Sequence, residues 1–330
     1  MIDADHGEYR GSMMNGSVPN RRAALGISGA IAITVLLMGC VSSPTKPATS
    51  EMGVFASLYD GKSDVAFATL FPVASAAEAI QRGDLALSQG DMDRALFEYI
   101  RALDMDPKNA DALYKIGIIH SARGNIPLAE MAYRWSLQED PNNLGSLTGL
   151  GVLLLKKREY AESRTHLEKV VGIDARIAPA QNALGVISDL DRDYDRAQRH
   201  YSMAIEAGAA SASLMNNLGY SRYLGGNLKG AATTFREALL MDPNYELAWR
   251  NLALVYTRQG HYDEAIEALT KVQDEAKAYN DVGYLLMVDG KLDKARSYFD
   301  EAKRLSPSFY ALADTNSRRV ELMQGHSASP

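Results

Sequence analysis

The chain has 330 residues, 46% of them hydrophobic, and a formal net charge of −6, which argues against the clustered Lys and Arg that a sequence-independent grip on nucleic-acid phosphate requires. A single cysteine, Cys40, excludes an intramolecular disulfide. The aromatic residues are mostly tyrosine, 17 against 2 Trp, which suits a helical array packed through small Ala and Gly contacts.

At the N-terminus Arg21 and Arg22 precede an apolar run, residues 23–38, and the pattern reads as a signal peptide over residues 1–39. It is neither a core helix nor a spanning segment. Met13 and Met14 offer later starts, in which case residues 1–13 are not translated. The end of the run, Leu37-Met38-Gly39-Cys40, resembles the lipobox of bacterial lipoproteins, with Met38 a less usual occupant of its position. That resemblance implies diacylglycerol on the Cys40 thiol, cleavage before it and acylation of the new amine. A plain secretory signal or an uncleaved N-terminal anchor is the alternative. Each buried methylene contributes about 0.8 kcal/mol and two chains already anchor stably, so a triacylated Cys40 would hold the protein at the membrane. The same family resemblance, with Val41 where an Asp favours inner-membrane retention, implies the outer membrane and a periplasmic face. Loss of residues 1–39 removes as many acidic as basic groups and leaves the net charge at −6.

Residues 41–50 are rich in Ser, Thr and Pro and read as a tether from the lipid. Residues 51–75 change character: VAFATLFPV, residues 65–73, is too apolar for a linker and is expected to pack against the first repeat, or to lie extended along the array, occupying its groove or capping its end. The segment 40–75 is thus lipidated Cys, tether and lead-in.

From residue 76 a period of 34 residues governs the sequence. Repeats begin at 76, 110, 144, 178, 212 and 246, and carry Gly at the eighth position, Ala at the twentieth, Tyr or Phe at the twenty-fourth, a small residue at the twenty-seventh and Pro at the thirty-second. The third is degenerate, with Ser163, Val170 and Ala175, and the fourth has Ala209 in place of the closing Pro. In the sixth the second helix is cut short, because Gly283 follows Ala253 by 30 residues, so four are missing near residues 273–276 and the stacking is expected to change there. The seventh occupies residues 276–309. Residues 310–330 read as a capping helix and a frayed tail.

Small residues at positions eight and twenty allow two helices to cross closely, the aromatic at twenty-four is expected to fill the gap to the next repeat, and Pro ends each unit. This pattern over residues 76–309 resembles the tetratricopeptide-repeat (TPR) family, which implies an all-α superhelical solenoid of about seven helix-turn-helix repeats with a C-terminal capping helix. For function the resemblance implies peptide or protein binding.

Chemistry has little support. None of the six histidines stands at metal-ligand spacing from another ligand; His166 and His200, 34 apart, read as two solvated helix residues, with a two-His site as the alternative. Gly225-Gly226 lies in a helix turn, not after a strand, so it is not a phosphate loop. The chain therefore reads as a non-enzyme with no cofactor, no metal, no nucleic-acid partner and no small-molecule substrate.

Function is expected in the concave groove, at positions 2, 5, 6, 9, 12 and 13 of each first helix. In repeats one to four these are mixed and often apolar, for example Ile118, Val152 and Val186. In repeats five to seven they become Asn216, Asn217, Tyr220 and Tyr223, then Arg250, Asn251 and Arg258, then Asn280 and Tyr284. An amide can donate to and accept from a peptide backbone at once, and Tyr adds apolar area with a hydroxyl, so a row of Asn one repeat apart suits an extended polypeptide. Solubility alone also accounts for Asn at these places. The Lys, Asn and Arg arrangement that clamps a C-terminal carboxylate is not evident.

NNLGY at residues 216–220, YNDVGYLLMVDGKLDKA at residues 279–295, SPSFY at residues 306–310 and the lead-in VAFATLFPV resemble the TadD family, TPR lipoproteins of the tight-adherence (Tad/Flp) pilus machinery. The resemblance implies a pilotin-like or scaffolding role in which the groove holds a secretin or another assembly subunit. A general periplasmic adaptor for peptidoglycan enzymes or outer-membrane assembly factors is the alternative.

Overall fold

The computed structural model describes residues 53–60, 72–306 and 310–327. The signal peptide, Cys40, the tether and residues 65–71 of the VAFATLFPV stretch lie outside the described residues. From Val54 onward the chain forms one compact unit.

Among the described residues fifteen α-helices follow one another in antiparallel pairs. The pairs are α1 (Ala76–Ser88) with α2 (Met92–Met105), α3 (Ala110–Ala122) with α4 (Ile126–Glu139), α5 (Leu144–Lys156) with α6 (Tyr160–Ile173), and α7 (Ala178–Leu190) with α8 (Tyr194–Ala204). They continue with α9 (Ala212–Leu224) and α10 (Leu228–Met241), α11 (Glu246–Gln259) and α12 (Tyr262–Thr270), α13 (Glu275–Val288) and α14 (Leu292–Leu305). A last helix, α15 (Ala311–Ser327), has no partner. From α3 onward each first helix also touches the first helix of the next repeat, so these helices line up as one layer.

Local sequence explains the helix limits. Asn109, Asn143 and Asn227 each accept a backbone N–H three residues on, at 2.8–2.9 Å, and so begin α3, α5 and α10 with a capped first turn. The turn inside every pair needs a residue with positive φ at the fifteenth repeat position: Gly226 takes φ 82, while repeats three and four place Arg158 (φ 66) and Arg192 (φ 64) there. Where the fourth repeat lacks its closing Pro, α8 runs on into a π turn, Ile205–Ala209, which Gly208 ends at φ 85.

The aromatic ring at position twenty-four packs with the next repeat, Tyr133 with Leu150 and Leu154, Tyr201 with Leu214 and Leu218, and it also lies on the position-eight glycine of its own repeat. A Cβ on Gly83, Gly117 or Gly185 would stand 2.4–2.5 Å from a ring carbon of Tyr99, Tyr133 or Tyr201. Only the close approach that glycine permits lets a whole ring fill the space between the two helices. Tyr133 in addition covers Gly149 of the following repeat. In the sixth repeat the pair is Ala253 with Leu269, a smaller side chain meeting a methyl group. The α12 helix is nine residues long against fourteen in α10 and α14, and ends with the Val272 and Gln273 amides both donating to the Leu269 carbonyl.

The lead-in is built into the fold over residues 53–60. A 3-10 helix, Gly53–Leu58, brings Leu58 to complete burial, sets Phe55 edge-on to Trp135 at 6.0 Å, and aims the Leu58 carbonyl at His120 Nε2, 2.8 Å away. Asp60 then takes Arg123 Nη1 at 2.5 Å and Asn125 Nδ2 at 2.9 Å. Although burial opposes it, these partners and His120 hold the Asp60 carboxyl below its usual range. The α2 helix beside this segment buries Phe97 and Ile100, at repeat positions that elsewhere carry groups such as Arg134 and Arg236.

Candidate functional site: the face of the first helices

The residues expected to contact a partner divide into two sets. Asn216 and Asn280 are buried, 3% and 2% exposed, and do not offer free amides to a groove. Each accepts a hydrogen bond from the first helix of the next unit: Asn251 Nδ2 donates to Asn216 Oδ1 at 2.8 Å, and Asn316 Nδ2 to Asn280 Oδ1 at 3.0 Å. A third rung joins Asn217 Nδ2 to Asn182 Oδ1 at 3.1 Å. The rungs join position five of one first helix to a residue 35 or 36 further on in the next first helix, so half of the Asn row ties the array together.

The ladder extends to the capping helix with a shift of one residue, because Asn316 lies 36 residues after Asn280 where the other two rungs span 35. On that helix Arg318 is exposed and paired with Asp314 at 2.9 Å.

The charged candidates are also engaged. Arg258 Nε donates to Tyr223 Oη at 3.3 Å, and its Nη1 pairs with Asp289. Arg250 Nη1 donates to Gln273 Oε1 at 2.7 Å, and Gln273 Nε2 donates to Asp281 Oδ2 at 2.9 Å. Gln273 comes from the shortened stretch after α12, so the missing residues bring a loop amide into the groove wall. Burial pushes the Asp281 carboxyl up, against the hydrogen bonds from Gln273 and Asn280.

The half-buried part of this face in repeats five to seven is amide and aromatic. Asn217, Tyr220, Tyr223 and Tyr284 are half-buried, and Tyr220 and Tyr223 lie 5.9 Å apart with their planes tilted by 30°. Toward the N-terminal repeats Ile118, Val152 and Val186 are half-buried on the same face, and Lys115 Nζ crosses to Asp84 at 2.6 and 2.8 Å. Two side chains escaped notice in the sequence. Asp189, in position twelve, accepts from Tyr201 Oη at 2.8 Å, and burial pushes its carboxyl up; Gln273 sits outside the repeat positions altogether. The matching spacing of Asp189 and Tyr201 to their repeat positions was the available signal for the first.

Among the described residues no group of three or more His, Cys, Asp or Glu could hold a metal ion. His166 and His200 do not converge: His166 Nε2 faces Glu162 at 3.5 Å, whereas His200 Nδ1 meets Gln181 Oε1 at 2.7 Å and is half-buried, not solvated. No described helix is long and apolar enough to cross a membrane.

Models of the tetratricopeptide repeat match residues 83–124, 114–182, 191–246, 223–286 and 276–309. A TPR repeat-containing protein of Methanocaldococcus jannaschii is 35% identical over 79 residues, 24% of this chain, and the matched stretch spans only 13% of that relative's length. A tetratricopeptide repeat protein from Parabacteroides merdae superposes with a TM-score of 0.51 at 16% identity, covering 76% of this chain and 100% of its own. Pseudomonas aeruginosa pilF gives a TM-score of 0.49 at 20% identity over 66% of this chain and 98% of its own. The repeat matches, which together span most of the chain, show that it belongs to the tetratricopeptide-repeat proteins, a protein–protein interaction scaffold.

Proposed function

We propose that this protein is a periplasmic scaffold, lipid-anchored to the outer membrane through Cys40, whose first-helix face holds an extended segment of a partner during assembly of a Tad/Flp-type pilus machine. The observation that carries the reading is the half-buried amide and aromatic surface of repeats five to seven, Asn217, Tyr220, Tyr223 and Tyr284, on one face of the first helices. Such a surface meets a peptide backbone with amide groups and its side chains with rings. The pilotin-like part of the reading rests on the resemblance of residues 216–220, 279–295 and 306–310 to TadD and on the lipobox at residues 37–40.

Affinity capture with the detergent-solubilised, lipidated protein tests it. A secretin or another pilus subunit should be recovered, and recovery should fall with Asn217→Ala and Tyr220→Ala. Recovery of cell-wall enzymes alone would favour the general adaptor and remove the pilus role. A Cys40→Ser protein that still fractionates with the outer membrane would remove the lipid anchor.

A further inference from the structure

Position nine of the first helix carries a single chemistry through six successive repeats: Ile118, Val152, Val186, Tyr220, Leu254 and Tyr284, all half-buried. The first repeat and the capping helix, at the two ends, instead place Asp84 and Arg319 there. Most charges beside the row are occupied within the protein. Lys115 neutralises Asp84 at 2.6 Å, Arg258 pairs with Asp289, and Arg250 reaches Asp281 through Gln273. Of Asp189, Oδ2 takes the Tyr201 hydroxyl at 2.8 Å while Oδ1 is buried without a partner, and Lys156 is exposed at the rim, where salt screens it. An ionic partner would have to break these pairings before it could use them, whereas an uncharged one meets the row as it stands.

The spacing of the row also constrains the occupant. Packed helices stand about 8–10 Å apart, and a polyproline-type extended chain advances about 3.1 Å per residue, so every third residue of such a chain comes level with the next repeat. Building on the groove reading above, we propose that the occupant is an uncharged, extended segment with an apolar side chain at every third position, held through its side chains by the position-nine row and through its backbone by the amide atoms that the Asn217–Asn182 rung does not use, Asn217 Oδ1 and Asn182 Nδ2.

Two blocked synthetic peptides of identical composition test this on the full-length protein in detergent, one with Leu at every third residue among Ser, Thr and Asn, the other with its Leu residues clustered. By fluorescence anisotropy the spaced peptide should bind at least about tenfold more tightly than the clustered one, with a Kd that changes less than about twofold between about 50 and about 500 mM salt. Val186→Asp should abolish binding, and the milder Val186→Ser should weaken it, with unchanged circular dichroism in each. Equal binding of the two peptides, no binding of either, or affinity lost at high salt would overturn the inference. If the captured partner still depends on Asn217 and Tyr220 while neither peptide binds, the groove reading stands and this inference fails. If capture is indifferent to those residues as well, both fail together.

Discussion

Gly219 and Phe235 form a closed contact between α9 and α10: a Cβ added to the glycine would meet Phe235 Cε1 at 2.8 Å, and the ring itself is fully buried. Gly219→Ala should therefore destabilise the array by about 1–3 kcal/mol through overpacking. The sixth repeat pairs Ala253 with Leu269 at the same two positions, so adding Phe235→Leu to Gly219→Ala should cost less than the sum of the single changes. Urea unfolding of the four proteins measures the coupling.

The amide ladder separates stability from binding. Asn251→Ala leaves the buried Asn216 carbonyl oxygen without its donor and should lower stability by about 1–3 kcal/mol. Asn217→Ala removes a half-buried donor and should change the melting temperature little while reducing partner capture. Equal melting temperatures for the two variants would show that the Asn216 rung is not structural.

Asp60 joins the lead-in to the second repeat through Arg123 and Asn125. Asp60→Ala should raise hydrogen exchange over residues 53–60, with α9 to α14 unaffected because contacts in a repeat array are between neighbours. Loss of charged hydrogen bonds at a partly exposed site is expected to cost about 1–2 kcal/mol. Unchanged exchange in residues 53–60 would mean that Phe55 and Leu58 hold the segment without it.

Arg158 sits in the left-handed region at φ 66, at the position where Gly226 and four other turns have glycine. Arg158→Gly should stabilise the third repeat by about 0.5–1 kcal/mol by relieving that conformation, read as a shift in the urea midpoint. Gly226→Arg should do the reverse.

Asp189 gives a pH dependence. Burial raises its folded-state carboxyl above the unfolded value, so the unfolded chain loses this proton first as pH rises. Its contribution is therefore most favourable at acid pH and is lost as pH rises from the unfolded value through the raised folded one. Asp189→Asn keeps an oxygen for the Tyr201 hydroxyl and removes the charge, so it should raise the melting temperature at neutral pH, with a difference that shrinks toward zero below about pH 4. A difference independent of pH would point to packing instead of charge.

The sequence by itself determined the number of helix pairs, their phase and the shortened sixth repeat, because a 34-residue period with Gly, Ala and an aromatic at set offsets leaves one way for paired helices to cross. It also marked the face on which the Asn and Tyr residues collect. Tertiary structure alone decided which of those residues are available. Asn216 and Asn251 look alike in sequence, yet one is enclosed by the next repeat and the other donates to it, since the rung joins residues 35 apart and needs the actual stacking of two helices. The same holds for Gln273, drawn to Arg250 and Asp281 by a loop, and for Asp60, drawn to Arg123 across 63 residues. A repeat pattern specifies contacts at fixed offsets; partners supplied by a loop or a lead-in have no offset to read.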